Sequence, residues 1–408
     1  MKSDAYGERL YDADLYDFAR VLPGTERDAL RRLRAVLDQR VAPLLASSWE
    51  RGEFPREIIE PLVSLDLMDP NRDSGRVSPL YAGFRNFELA RTDASIATFY
   101  NAQSGLFRTA VALGGSPGQA QEWDPLIRRW ELTAAFALTE PNHGSDIARG
   151  LSTTCRRAGD TWTIDGRKRW IGAADTAANL LVFARDAADG EVKAFLVPRD
   201  ADGVSLTRIE GKTSLRIMQN FDIELTAVTV DDHWRLGGIS SFADVSACLR
   251  AMRSDVAWIA TGAACGAFEA ARRYVLDREQ FSSSLAGFQL VQEKLALMAA
   301  DVTASLALVT KLSQQQAEGI WRDENSALAK MFTARALRTT AALARELCGG
   351  NGITLETDVA RFHADAEAIY SYEGTQDINA LILGRALTGY SAFTRTPLRG
   401  AAAASAAS

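Results

Sequence analysis

Ten of the chain's eleven prolines fall between positions 23 and 198, and none follows until Pro397. Proline removes a backbone donor and clashes with the preceding helical turn. A proline-free stretch of this length, rich in Ala, Leu and Arg, is therefore suited to long helices. Within it, residues 288–318 and 326–347 each carry apolar side chains on a wide stripe. Helices of a bundle, buried on more than one side, have this pattern.

The middle of the chain reads differently. From about 133 to 232 it breaks into short apolar runs such as NLLVFAR, EVKAFLV and FDIELTAVTV, punctuated by Asp-Gly pairs at 165–166, 189–190 and 202–203. Such runs with such turns predict an antiparallel sheet or barrel. No helix-length pattern interrupts them, which argues against a doubly wound parallel sheet. Residues 24–132 return to helical periodicity. The expected order is a helical domain over 1–132, a β-domain over 133–240 and a second helical domain over 241–396. The low-complexity tail at 397–408 is expected to be disordered.

A chain of 408 residues has room for two or three domains, and 47% hydrophobic with 24% charged residues excludes a disordered polymer. The net charge of −6 disfavours nucleic acid as a partner. No uninterrupted apolar stretch reaches membrane-spanning length, and MKSDAYGERLYDADLYDF lacks the apolar core of a signal peptide. A cytoplasmic protein without a membrane role is expected. The basic run RRLR at 31–34 reads as a solvated helix face. Cys155, Cys248, Cys265 and Cys348 contain no C-x-x-C, and His143, His233 and His363 are scattered. No metal-ligand spacing arises from them, and reduced, buried thiols are expected.

There is no G-x-G-x-x-G and no P-loop. The single G-x-S-x-G, Gly114–Gly118, follows a helical pattern and contains Pro117, so it reads as a loop and not a nucleophile elbow. Four other segments carry chemistry. FALTEPNHGSD (136–146) makes a polar loop whose backbone N–H groups suit anions or polar ring edges. DGRKRWIG (165–172) holds a Trp that by itself reads as core. DREQFSSSLAGFQLVQEKLA (277–296) puts Arg278 at a helix end, where capping is its ordinary role. CGGNGIT (348–354) precedes DAEAIYSYEGTQDIN (365–379), where Glu373 stands between Tyr372 and Gly374, just before a helix starting near Thr375. A carboxylate in apolar surroundings has its charged form disfavoured and can serve as a base.

Together these segments resemble the acyl-CoA dehydrogenase and oxidase family over about residues 20–395. T-E-P-x-x-G-S-D, K-x-W-I, R-x-x-F with a glutamine eleven residues on, G-G-N-G and Y-E-G-T are jointly specific to it. The resemblance implies an α-helical N-terminal domain, a central antiparallel β-domain and a C-terminal four-helix bundle, in a homotetramer or a dimer. It implies FAD as cofactor. Phe136, Leu138, Thr139 and Ser145 match flavin- or phosphate-contacting positions, as do Trp170, Ile171 and Gly172 along the flavin and Thr375 and Asp377 after the base. Arg278, Phe281, Gln289, Glu346 and Gly350 match positions that reach the FAD of a neighbouring subunit. Glu373 matches the base that removes a thioester α-proton while hydride leaves the β-carbon for flavin N5. Ser145, Arg253 and Gly374 match the acyl-CoA side of the pocket. In the family the developing enolate oxygen is met by the backbone N–H at the Glu373 position and by a flavin ribityl hydroxyl.

Within the family, YEGTQDINALILGRALTG and LARELCGGNGI resemble the glutaryl-CoA dehydrogenase branch. KRWIG, SLRIMQN and RTDAS resemble plant-type short-chain acyl-CoA oxidases in that branch. Two positions depart. Ala97 stands where glutaryl-specific enzymes carry an arginine for the distal carboxylate, and a dicarboxylate would be left unpaired there. Gly172 replaces the threonine whose hydroxyl reaches flavin N5 in most dehydrogenases. The expected activity is oxidation of a short-chain acyl thioester, on CoA or a carrier protein, with an electron-transferring flavoprotein as acceptor. Oxygen is the alternative acceptor. A DNA-binding member of the fold is a remote third reading, disfavoured by the acidic chain and by retention of Glu373.

Overall fold

In the computed structural model the described residues are 9–71 and 77–392, so the tail at 397–408 lies outside them. The first domain is helical: α1 (Gly24–Val36), α2 (Ala42–Arg51), α3 (Ile59–Val63), α4 (Pro79–Thr92), α5 (Ala94–Asn101), α6 (Arg108–Gly114) and α7 (Pro117–Arg128). Helix starts follow local capping chemistry. Ser78 Oγ accepts from Tyr81 N at 3.0 Å, with Pro79 in the first turn of α4. Ser116 and Gln119 form a capping box on α7, so the G-G-S-P-G run is a helix start. A wide π-helical turn, Ala102–Phe107, joins α5 to α6.

The central sheet holds β1 (Ala134–Ala137), then, after a short helix α8 (Ile147–Gly150), β2 (Thr154–Ala158), β3 (Thr161–Gly172), β4 (Asn179–Asp186), β5 (Val192–Pro198), β6 (Val204–Arg208) and β7 (Asn220–Asp231). Its order is β1-β4-β2-β3-β7-β6, with β5 also paired to β4. Most pairings are antiparallel, as the turn pattern predicts, and two are not. β1 and β2 both run parallel to β4, with Ala134 opposite Asn179 and Thr154 opposite Arg185. Turn signals report hairpins such as β4–β5 at Asp189–Gly190, but parallel pairs arise from crossovers, which leave no local signal. Nor is Asp165–Gly166 a turn. It lies inside β3 beside a register shift, where Asp165 Oδ1 accepts from Ala227 N at 2.7 Å.

The last domain is built from α9 (Phe242–Asp277), α10 (Gln289–Ala317), α11 (Asp323–Leu347), α12 (Val359–Ser371) and α13 (Gln376–Thr388). α9 is buried almost all round between Val256 and Ala271 because it carries Ala, Gly and Cys there. Small residues let α4 approach closely: a Cβ on Gly83 would overlap the Trp258 ring, and one on Gly262 would overlap the Phe87 backbone. Trp258 in turn donates to Ser313 Oγ on α10 at 3.0 Å. α10 is long and apolar enough to cross a bilayer on length and composition alone, but it packs against α9, α11 and α4.

Two buried ion pairs tie the first domain together and to the last. Arg34, expected on a solvated face, turns inward and forks onto Glu88 at 3.0 and 2.9 Å, a correction that follows from Glu88 being fully buried on α4. Asp93 caps α5 through Ser95 N (2.8 Å) and Ile96 N (3.3 Å), and its second oxygen receives Arg361 Nη1 of α12 at 2.5 Å. This pair fixes the α5 start against the helix that leads to Glu373. Removing one member of a buried pair leaves the other uncompensated, at a cost of about 3–5 kcal/mol. Asp93→Ala is expected to lower the melting temperature of the holoprotein by several degrees, whereas Asp175→Ala at an exposed pair with Arg56 is expected to leave it nearly unchanged.

Candidate functional site

α12 stops at Ser371 and α13 starts after Thr375, whose Oγ1 accepts from Ile378 N at 3.2 Å. Between them Glu373 (φ 53°) and Gly374 (φ 87°) are both left-handed. A glutamate in this region is strained by roughly 1–2 kcal/mol and persists only where neighbours hold it. The holder is Lys330 of α11, a fully buried lysine whose ammonium donates to Tyr370 O at 3.0 Å and Gly374 O at 2.8 Å. Asn379 Nδ2 adds a third bond, to Gly374 O at 2.9 Å. On the other side, the Tyr372 hydroxyl lies 3.4 Å from Thr98 Oγ1 of α5, next to the buried Ala97.

Burial pushes the Glu373 carboxyl above the usual carboxylate range, and the positive charges of Arg253 and Lys330 limit the rise. Burial likewise brings the Lys330 ammonium down to about 8, with Glu373 acting against the shift. Arg253 on α9 is only loosely engaged, with Nη1 3.4 Å from Asp323 Oδ1 and a buried Nε that has no partner. Asp255, half a turn further along α9, is also part of this field. Burial lifts it to about 7, against the pull of Arg85 and with the push of Glu373.

A second group sits on the β-domain. Phe136 and Leu138 lie at the end of β1, where Phe136 packs on Phe183 at 4.8 Å and Leu138 is buried. The chain then turns through Thr139, half-buried, to the exposed Ser145. This loop is pinned by a buried ion pair. Glu140 accepts from Ser152 N (2.7 Å), Thr153 N (2.9 Å) and Lys168 Nζ of β3 (2.9 Å). Burial alone would raise Glu140, but Lys168 and these donors outweigh it and take the carboxyl down to about 2.

Trp170 corrects its sequence reading as a core residue. Trp162, Ile164 and Lys168 point inward with the two-residue period of β3, which would put position 170 inside too. A bulge between Lys168 and Ile171 breaks the period, so Ile171 is buried instead and Trp170, with φ 65°, is 51% exposed. Its backbone neighbour Arg169 donates to Thr139 O at 2.8 Å, which sets the ring beside the polar loop. Gly172 follows, with the place of its missing Cβ 2.6 Å from Met218 Cε. The Arg169 guanidinium lies 4.9 Å from the ring centroid, and a half-exposed aromatic plane beside a loop of small hydroxyl residues fits the isoalloxazine of FAD.

The segment 212–220 joins this wall to the Glu373 helices. Asn220 Nδ2 donates to Trp170 O at 3.1 Å, while Leu215 N and Ser214 Oγ donate to Asp365 Oδ1 (2.6 Å) and Ala364 O (2.5 Å) of α12. The remaining candidates gather elsewhere. Arg278 ends α9, Phe281 is 90% exposed on the small hairpin that follows, Gln289 opens α10, and Glu346 pairs with Lys294 at 3.3 Å just before Gly350. Arg253 stands about a third of the way along α9 and Arg278 caps its C-terminal end, roughly 37 Å further along the axis at about 1.5 Å per residue. The structure thus brings Ala97, Arg253, Gly374 and Thr375 around Glu373, leaves Asp377 exposed on the first turn of α13, and sets the Arg278 group at the far end of the bundle.

Lys330 and Asp255 lie outside every motif, and Glu140, the glutamate of T-E-P, gains its role only from the structure. The available signal for Lys330 was phase: it falls on the same helical stripe as Ala327, Ala334 and Leu337. For Asp255 it was a lone carboxylate within a run of small apolar residues.

Profiles described as the N-terminal, middle and C-terminal domains of acyl-CoA dehydrogenase match residues 24–131, 135–228 and 242–388. The chain is 28% identical to the 3-(aryl)acrylate reductase of Clostridium sporogenes over 88% of this chain and 97% of the relative. It is 28% identical to the human mitochondrial short-chain specific acyl-CoA dehydrogenase over 90% and 92%. Among solved structures, glutaryl-CoA dehydrogenase from Mycobacterium smegmatis superposes with a TM-score of 0.87 at 34% identity, covering 94% of this chain and 100% of that one. A second structure of a glutaryl-CoA dehydrogenase from that organism, in complex with FADH2, has a TM-score of 0.87 at 31% identity over the same shares. The chain belongs to the acyl-CoA dehydrogenase family and is an FAD-dependent oxidoreductase.

Proposed function

We propose that this protein oxidises a short-chain acyl thioester to the trans-2-enoyl thioester, with Glu373 as the base. The observation that carries this reading is the Glu373 turn: a desolvated carboxylate fixed in a strained conformation by Lys330, facing Arg253. FAD, when bound along Trp170, supplies the two-electron acceptor that takes the β-hydrogen as hydride. The chain's own part is to take the α-proton onto the Glu373 carboxylate and to keep the thioester oriented against it. A base with a raised proton affinity suits a weakly acidic α-carbon better than an ordinary carboxylate does. The backbone N–H of Glu373 is the chain's own donor to the enolate oxygen as negative charge develops.

The separation of the Arg278 group from Glu373 supports an oligomer, and we propose a homotetramer. Arg278 lies roughly 37 Å along α9 from Arg253 of the Glu373 pocket, and the exposed Arg278, Phe281 and Gln289 can complete the cofactor site of a neighbour. Leu290 (68% exposed) and Leu297 (53%) on α10 offer apolar surface beside them. An electron-transferring flavoprotein is the proposed acceptor. Gly172 favours oxygen as the second reading, because no side-chain hydroxyl stands at that position beside Trp170.

Glu373→Gln is expected to keep FAD bound and lose turnover by at least about a thousandfold, read by stopped-flow flavin bleaching with butyryl-CoA. Wild-type turnover in that variant overturns the base assignment. The base must be ionised, so kcat is expected to fall as pH drops through the raised Glu373 value. Lys330→Met removes a cation that favours ionisation, and its acid limb is expected at higher pH in the kcat profile. Anaerobic bleaching by butyryl-CoA followed by air separates the acceptors. Flavin that stays reduced until an electron-transferring flavoprotein is added supports the dehydrogenase, and prompt re-oxidation with peroxide supports the oxidase.

A further inference from the structure

A polar cluster that the reaction does not require lies beside Glu373, between α4, α5 and α9. Arg85, buried on α4, donates through Nη2 to Asn86 Oδ1 (3.4 Å) and Ser104 Oγ (3.1 Å). Asn86 Nδ2 then donates to Asn101 Oδ1 at 3.3 Å. Because a guanidinium has only donors, this chain fixes both amides the same way round, and Asn101 presents an acceptor. Asp255 meets it from α9. A Cβ on Gly105 would overlap both Asn101 Oδ1 and Asp255 Oδ2, so both oxygens pack on the glycine of the wide π-helical turn and are close neighbours of one another. Among the described residues the Asp255 side chain has no hydrogen bond and no close ion pair; Arg85 acts on it only as a nearby charge, and water can reach it.

Two acceptors side by side, one of them a carboxylate with no hydrogen bond of its own, call for a donor. The same location bears on substrate choice. Asp255 lies within the electrostatic field of Glu373, two residues from Arg253, and Asn101 lies one turn beyond Ala97 and Thr98, the latter touching Tyr372. An alkyl chain extending from the thioester towards α5 would strip water from Asp255 and return nothing, a penalty that grows in a dry pocket.

We propose that Asp255 and Asn101 form a specificity site for an acyl chain carrying a hydrogen-bond-donating group, a hydroxyl or a protonated amine, beyond the β-carbon. This rests on the acyl-thioester oxidation proposed above. A site built around a donor rejects the analogue lacking it far more strongly than an apolar pocket rejects one methylene.

The test compares kcat/KM on the FAD-loaded enzyme for 4-hydroxybutyryl-CoA against its apolar isostere pentanoyl-CoA. A second pair is 4-dimethylaminobutyryl-CoA, which donates but cannot lactamise, against 5-methylhexanoyl-CoA. The wild type is expected to favour the donor-bearing member of at least one pair by about tenfold or more, and Asp255→Leu to abolish or invert that preference. Asp255→Asn, which keeps an acceptor and removes the charge, is expected to retain a preference for the hydroxyl and lose one for the cation. Equal or better turnover of the apolar members by the wild type overturns the proposal, as does an unchanged ratio in Asp255→Leu and Asp255→Asn. Failure of all four thioesters to bleach the flavin of the wild type overturns the underlying reaction itself, an outcome distinct from unselective bleaching by all four.

Discussion

The ammonium of Lys330 is the fixed point of the site. It is buried, its charge is opposed by desolvation, and it donates to main-chain carbonyls on both sides of a turn whose backbone runs left-handed. Without that anchor only the Asn379 bond to Gly374 O and the Tyr372 contact with Thr98 would oppose the strain at Glu373. The same charge favours ionisation of the carboxylate it helps to place. Geometry and proton affinity are thus set by one side chain, and a change at Lys330 cannot alter one without the other.

The opposite wall is built on a different principle. On the β-domain the needed feature is an aromatic face turned away from the sheet, and a one-residue bulge supplies it by moving Trp170 out and Ile171 in. The Glu140–Lys168 pair holds the neighbouring loop, and the 212–220 segment carries the wall to α12. Asp93 and Arg361 then carry α12 to α5. Every link in this sequence is either a buried charge with its partner or a main-chain hydrogen bond, so the walls are held by directional contacts where apolar packing alone would let them slide.

The domain order and the position of Glu373 between two helices are legible in the sequence because they rest on local properties: proline spacing, alternation, capping residues and short motifs. What is not legible is non-local. The parallel pairing of β1 and β2 with β4 depends on a crossover, and the outward turn of Trp170 depends on register with β7. Arg34 reads as solvated until Glu88, from a helix distant in sequence, is placed beside it. Asp255 and Asn101 are on different helices, and their convergence exists only once α5 and α9 are packed around Gly105.

The span of α9 has a consequence of its own. This one rod carries Arg253 about a third of the way along and Arg278 at its end, with no loop between them to absorb a change. Adding or losing a single residue in that interval would rotate one end about 100° against the other, since a turn takes about 3.6 residues. Substitutions along the rod's sides are local events. Insertions and deletions act as a torsional fault that reaches both ends at once, so the length of this stretch is constrained even where its exposed side chains are not.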